Sequence, residues 1–279
     1  MTKLAAAVLV LWTVTAWGQA PALAPPAGQS ATPSFVTIKP QEEPGVRKAK
    51  ELLNKMIQAL GGQAYLGLQD MEQSGRTYSF FHGDPTGAGA PFWDFWKWPE
   101  MERVELLKSR SWVIINNGDK GYETTFRGTV AEEKDALDDY LRRRHYSLQQ
   151  VLRKWLNQPG TIFFYEGQVA AERKAAEQVS ILNAQNEGLT LYIDQNTFLP
   201  IKKTFEWRDA THYRTQEAEI YDNYRLIQGI MTPFSVTRQK DSMPTNQRFI
   251  NEVKYNQNLP DSMFEATLTK PAAEPAKRK

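Results

Sequence analysis

The chain has 279 residues, 34 Lys and Arg against 32 Asp and Glu for a net charge of +2, and no Cys. A balance so close to neutral lacks the clustered basic surplus of a nucleic-acid surface, so no nucleic-acid partner is expected. Without a thiol there is no disulfide, no Cys-ligated metal and no lipid carried on an N-terminal cysteine.

The first residues carry the pattern of an export signal. Lys3 gives a positive start, and Leu4 to Ala16 an apolar run short of the ~20 residues needed to cross a bilayer. Ala16-Trp17-Gly18 puts small residues where a signal peptidase cuts, with Gly18-Gln19-Ala20 as an alternative. The expectation is a periplasmic protein with residues 1–18 removed and no lipid anchor; an uncleaved N-terminal anchor is the competing reading. Residues 19–44, rich in Pro, Ala and Ser, read as a disordered linker in which Phe35, Val36 and Ile38 could add a short edge contact. One domain is expected over 45–268 and a frayed basic tail over 269–279.

The spacing of Val46, Ala49, Leu52, Leu53, Met56, Ile57 and Leu60 predicts an amphipathic helix over 46–60, stopped by Gly61-Gly62. Strands follow over 69–81, 92–98, 103–108, 112–117 and 121–126, the last two joined by the hairpin signal Asn117-Gly118-Asp119-Lys120. The Gly- and Pro-rich loop 82–91 is a surface connection or a rim element. Acidic residues from Glu132 to Asp139 and the basic run Arg142-Arg143-Arg144 complement the dipole of a helix over 131–145. Ser147 and Gln150 form a capping box for a second helix over 148–156.

Strands resume at Thr161 and near 177–184, and from Leu189 to Tyr255 five alternating segments read as a continuous antiparallel meander. About twelve strands exceed what a flat sheet carries without curling. In FWDFWKW, alternation puts Trp93 and Phe95 on one face and Phe92, Trp96 and Trp98 on the other. Phe205 and Trp207 share a face, as do Ile220 and Tyr224, and as do Phe249, Val253 and Tyr255; parity alone does not say which face is inside.

The sequence carries no nucleophile elbow, phosphate-cradling glycine loop or His-Glu-x-x-His motif, and its three His, at 82, 145 and 212, have no metal-ligand spacing. No metal, no cofactor and no catalytic residue is therefore expected. The run Arg142 to His145 is either a head-group site or a solvated helix end. Glu166, Asp194 and Glu206 are the carboxylates that a glycosidase would need opposed on a sheet.

The helix ending at Gly61-Gly62, LTLYIDQNTFLPIKK from Leu189, EIYDNYRLIQGIMTPFSV from Glu219 and VKYNQNLPDSMF from Val253 together resemble the LolA/LolB-like superfamily of exported lipoprotein-sorting proteins. The resemblance implies a mainly β, α+β fold, a highly curved antiparallel sheet or incomplete β-barrel with helices as a lid over a hydrophobic cavity. It implies carriage of an amphiphilic or lipidated cargo, with lipid or lipoprotein acyl chains and inner- or outer-membrane envelope components as partners. Cavity-lining candidates are Trp93, Phe95, Trp112, Tyr122, Phe205, Trp207, Tyr224 and Phe249, and lid candidates are Leu52, Met56, Leu152 and Trp155. The alternative is a non-enzymatic envelope scaffold with a self-filled core. An enzyme would need convergent polar groups with perturbed pKa values in the pocket.

Overall fold

The computed structural model describes residues 33–209 and 211–269; the expected signal peptide (1–18), linker residues 19–32 and the tail from Lys270 lie outside the described residues. The remaining part of the expected linker is docked. Val36 is buried and exchanges hydrogen bonds with the Asn54 side chain (2.8 and 3.0 Å), and Lys50 donates to the Thr37 carbonyl (2.9 Å) and pairs with Glu42.

Helix α1 (Pro44–Leu60) starts with Pro, whose missing N–H costs nothing in the first turn, and buries the expected stripe. It ends at Gly61 (φ 130°), where a Cβ would stand 2.7 Å from the Gly229 carbonyl oxygen, so only glycine fits. A short α2 (Gln63–Leu66) leads into β1 (Asp70–Phe81), β2 (Asp84–Pro85), β3 (Ala90–Lys97), β4 (Met101–Leu106), β5 (Trp112–Asn117), β6 (Lys120–Thr125) and β7 (Gly128–Ala131). Next come α3 (Lys134–His145) and α4 (Leu148–Gln150), the latter capped by Ser147 and continuing as a π-helical turn, Val151–Trp155. Seven strands complete the sheet: β8 (Ile162–Ala171), β9 (Lys174–Leu182), β10 (Gly188–Asp194), β11 (Pro200–Arg208), β12 (Arg214–Ile227), β13 (Ile230–Lys240) and β14 (Met243–Tyr255). The short strands β2 and β7 are additions to the expected set.

All pairings are antiparallel, in the order β7-β6-β5-β4-β3-β1-β14-β13-β12-β11-β10-β9-β8, with β2 on β1. Two meanders are thus zipped together along β1 and β14, and the edges β7 and β8 do not pair, so the sheet is open. The chain crosses from one edge to the other through α3 and α4. Helix α1 packs against β8 and β9 and also against β13, so it lies across the strands, and a sheet of so many strands curls around it rather than staying flat. The main core lies on this concave side, where α1 and the π-helical turn meet Val179, Ile181, Leu189, Leu191 and Phe234.

The convex side has a smaller core. Phe95, Val113 and Ile115 are covered by Leu259 and Phe264, the latter in a short 3-10 turn (Asp261–Phe264). Polar ties fix this strap. Buried Asp70 accepts the backbone N–H groups of Gln257 (2.6 Å) and Leu259 (3.2 Å), and Arg103 donates to the Met263 carbonyl (3.1 Å). Thr269 Oγ1 accepts the Thr129 N–H (2.8 Å), so the strap also covers part of edge strand β7.

One irregularity decides which residues face inward. Between Ser74 and Gly75 the register slips, Ser74 facing Glu252 and Gly75 facing Ile250, so that Asn251 is the extra residue of a β-bulge. A Cβ at Gly75 would lie 2.1 Å from the Phe249 carbonyl oxygen. Because the bulge resets the alternation, Val253 and Tyr255 face the concave core while Phe249 faces out, contrary to the shared face expected for the three.

Candidate functional site

Register carries the concave parity across the sheet: Gln73 pairs with Asp94 and Val253, Asp94 with Val104, and Trp96 with Glu102. The α1 half of the concavity is filled by side chains. The other half, under α3, holds two contiguous chambers. One is an apolar recess of about 250 Å³ walled by Tyr65, Tyr224, Met231, Val236 and Ile250. The other, of about 400 Å³, is charged, with Asp94, Glu102, Tyr140, Arg143, Arg238 and Arg248 on its walls. Met71, Trp96, Glu219, Arg238 and Arg248 border both. A rim chamber of about 290 Å³ beyond Arg143 is bordered by Phe205, Glu217 and Lys240.

The hollow is therefore amphipathic, not uniformly apolar as the family resemblance implied. Its charges are organised in pairs. Arg248 binds Asp94 Oδ2 at 2.8 Å, where Gln73 also donates (2.9 Å). Glu219 takes two cations, Lys203 at 3.0 Å and Arg238 at 3.1 Å, and the Tyr221 hydroxyl at 2.8 Å. Burial pushes the Glu219 carboxyl up, but Lys203 and Arg238 outweigh it and hold the group well below the usual carboxylate range. Burial pulls the Lys203 ammonium down, against the opposing pull of Glu219. Glu102 behaves oppositely to Glu219: burial, reinforced by the Asp94 charge, pushes it up to about 7 despite Arg248, Arg238 and a hydrogen bond from Tyr140.

Several expected site residues stand elsewhere. Trp93, Phe95 and Tyr122 are on the convex face, in or beside the small core under the C-terminal strap, with Arg110 4.9 Å from the Trp93 ring centre. Phe249, moved outward by the bulge, is 44% exposed and meets Tyr78 edge to face. Trp112 has inward parity, opposite Leu106, but sits at the rim and borders none of the chambers described. Trp207 is tied by its Nε1 to Glu217 (2.8 Å) under the Arg142 guanidinium, 3.6 Å from the ring centre.

Phe205 borders the rim chamber and stacks on Tyr146 at 4.1 Å. Tyr224 reaches the recess because Asn223, at φ 54°, breaks the alternation of β12, so that Tyr221 and Tyr224 both point inward. Leu52, Met56, Leu152 and Trp155 are buried in the main core and form the floor beside the hollow, without bordering it.

The basic run of α3 is neither a single head-group site nor a solvated end, since its members diverge. Arg142 pairs with Asp139 and Glu217, and Arg144 donates to the Gly118 carbonyl (2.5 Å). His145 meets Glu187 at 2.7 Å, and Arg143 alone of the four borders the charged chamber and the rim chamber together. The carboxylates considered for glycoside hydrolysis do not converge. Glu166 is exposed on β8, Asp194 accepts turn N–H groups of Asn196 and Thr197, and Glu206 pairs with Arg214. Sequence reasoning missed Asp94, Glu102, Glu219, Arg238 and Arg248. The available signal was Asp94 flanked at i±2 by Phe92 and Trp96, a charge at the parity of buried aromatics.

No family model and no curated protein matches the chain. Among solved structures, a DUF1329 family protein from Desulfovibrio piger aligns with 9% identity and TM-score 0.55 over 78% of this chain and 97% of its own. A putative outer membrane lipoprotein-sorting protein domain from Vibrio parahaemolyticus aligns with 7% identity and TM-score 0.50 over the same shares, 78% and 97%. A LolA superfamily protein from Nitrosomonas europaea aligns with 14% identity and TM-score 0.46, again over 78% and 97%. The chain has a LolA-like fold. No helix among the described residues is long and apolar enough to cross a membrane.

Proposed function

We propose that this protein is an exported, non-enzymatic carrier or binding protein for an amphiphile, working in the cell envelope, with an acyl chain of the cargo seated in the recess of Tyr65, Tyr224 and Met231. The observation that carries this reading is the continuity of an apolar recess with a charged chamber inside one open, LolA-like sheet. The recess, about 250 Å³, lies below the range usual for drug-sized ligands, ~300–1,000 Å³, which favours one acyl chain over the several of a lipoprotein anchor. The open chambers also weigh against a scaffold with a self-filled core.

A second reading, acid–base catalysis in the charged chamber, draws support from Glu102, a carboxyl pushed up to about 7 beside Asp94. The ion pairs Arg248–Asp94 and Arg238–Glu219 account for its neighbours as a self-consistent network, and binding is the simpler assignment.

Native mass spectrometry of the protein isolated gently from its own envelope, beside Met231→Trp, tests the carrier. The larger ring fills the recess, so wild type should carry a dissociable amphiphile and the variant should not. Bare protein in both cases would refute carriage.

A further inference from the structure

We propose that the charged chamber seats the anionic head of a single-chain amphiphile, a carboxylate or phosphate held by Arg143, Arg238 and Arg248 with its chain in the adjoining recess; this rests on the carrier reading and specifies its ligand. Four guanidiniums border one chamber, and of these Arg144 on α3 is turned to the Gly118 carbonyl, which leaves Arg143 on α3, Arg238 on β13 and Arg248 on β14. Guanidinium is the side chain best matched to carboxylate and phosphate oxygens, because its planar fork donates in pairs.

The protein's own anions leave part of this positive charge uncompensated. Asp94 is engaged with Arg248, and Glu219 is shared between Arg238 and the buried Lys203, two cations on one carboxylate. Arg143 makes no side-chain hydrogen bond among the described residues, and Asp139, the carboxylate it faces, is 3.8 Å away. Arg143 and Arg238 border the same two chambers, and burial, then repulsion by Arg238, pull Arg143 down against the smaller opposing pulls of Asp139, Glu217 and Glu219. Glu102, raised to about 7, supplies only part of a negative charge near neutrality. Glu132 and Arg144 at the chamber edge are bound to Asn116 and to the Gly118 carbonyl. An anion placed between Arg143 and Arg238 would relieve the repulsion.

A second feature points to a polar guest. Arg248 Nε on this wall is a buried donor without a partner among the described residues, while the unpaired Oδ1 atoms of Asp94, which is 2% exposed, and of Asn246 are acceptors that only a proton carried by the guest, such as the P–OH of a phosphate monoester, can meet. Buried polar atoms are normally satisfied, so the Arg248 Nε is donor capacity that the fold does not use. Arg238 and Arg248 also border the recess, so a head group on them points its chain toward Met231 and Val236.

Isothermal titration of the full-length protein with laurate, dodecyl phosphate, uncharged monolauroylglycerol and inorganic phosphate tests the assignment. A charge-assisted pair of hydrogen bonds is worth at least about tenfold in affinity, so laurate and dodecyl phosphate should bind at least about tenfold more tightly than monolauroylglycerol. Arg143→Gln should remove most of that preference, and Arg143→Lys should keep part of it. Equal affinity for the charged and uncharged lauroyl probes in wild type would overturn the head-group site while leaving carriage intact. Inorganic phosphate binding as tightly as dodecyl phosphate would overturn it in favour of a free-anion site. Failure of all three chain-bearing probes to bind would remove the carrier reading, and the head-group site with it.

Discussion

Replacing Glu219 with Gln should destabilise the protein by about 3 kcal/mol near neutral pH. Glu219 neutralises Lys203, which is 1% exposed and among the described residues otherwise donates only to the Tyr146 carbonyl (2.7 Å), and also Arg238. Removing one member of a buried pair costs about 3–5 kcal/mol, because the remaining charge stays desolvated. The lower end applies here because the Glu219 and Arg238 side chains keep 15% and 29% exposure. Lys203→Met should cost less than Glu219→Gln, since Arg238 still balances Glu219 and the main loss is a donor to Tyr146, about 1–3 kcal/mol. The double variant should be more stable than Glu219→Gln alone, because the stranded buried ammonium is gone. The folded-state carboxyl titrates far below its ordinary 4.5, so the stabilisation is complete above about pH 4.5 and fades as pH falls through and below that value. Urea unfolding followed by tryptophan fluorescence reads all three variants. Glu219→Gln within about 1 kcal/mol of wild type, or a double variant weaker than that single one, would refute the buried-triad account.

Glu102 should show the opposite pH behaviour. Its folded-state pKa of about 7 exceeds its ordinary 4.5, so between those values the folded state holds more protons, and stability falls with rising pH by up to about 1.4 kcal/mol per unit. Asp94 on β3, Arg238 on β13, Arg248 on β14 and Tyr140 on α3 surround it, and Glu102→Gln should flatten that segment of the stability profile. Phe264→Ala should cost about 3–5 kcal/mol and make the strap sensitive to protease, since Phe264 is fully buried in the convex core. Amphiphile affinity should survive that change; a loss would mean that the convex face takes part in binding.

The element pattern was largely legible because alternation and turn residues are local signals. The stripe of α1, the hairpin at Gly118 and the meander from Leu189 follow from spacing alone. Facing was less legible. The bulge at Asn251 inverts Phe249 relative to Val253, and its one local signal, Gly75 inside a strand pattern, sits on the partner strand far away in sequence. The aromatic strand β3 misled for another reason. Alternation separates Trp93 and Phe95 from Phe92 and Trp96, but a distant C-terminal strap gives the convex side its own core, so aromatic richness does not mark the interior. The charged chamber escaped notice because charged strand residues usually face water. Glu219 and Arg238 are paired across one hairpin and were open to inspection, but Asp94 meets Arg248 only once β3 and β14, far apart in sequence, are brought close.

The most direct test of an acyl chain in the recess is photolabelling with a lauroyl probe bearing a diazirine at its terminal carbon, followed by peptide mapping. The account predicts label on Tyr65, Tyr224 and Met231, competed away by unlabelled laurate. Label concentrated on convex residues such as Trp93 or Phe249, or scattered without competition, would contradict it.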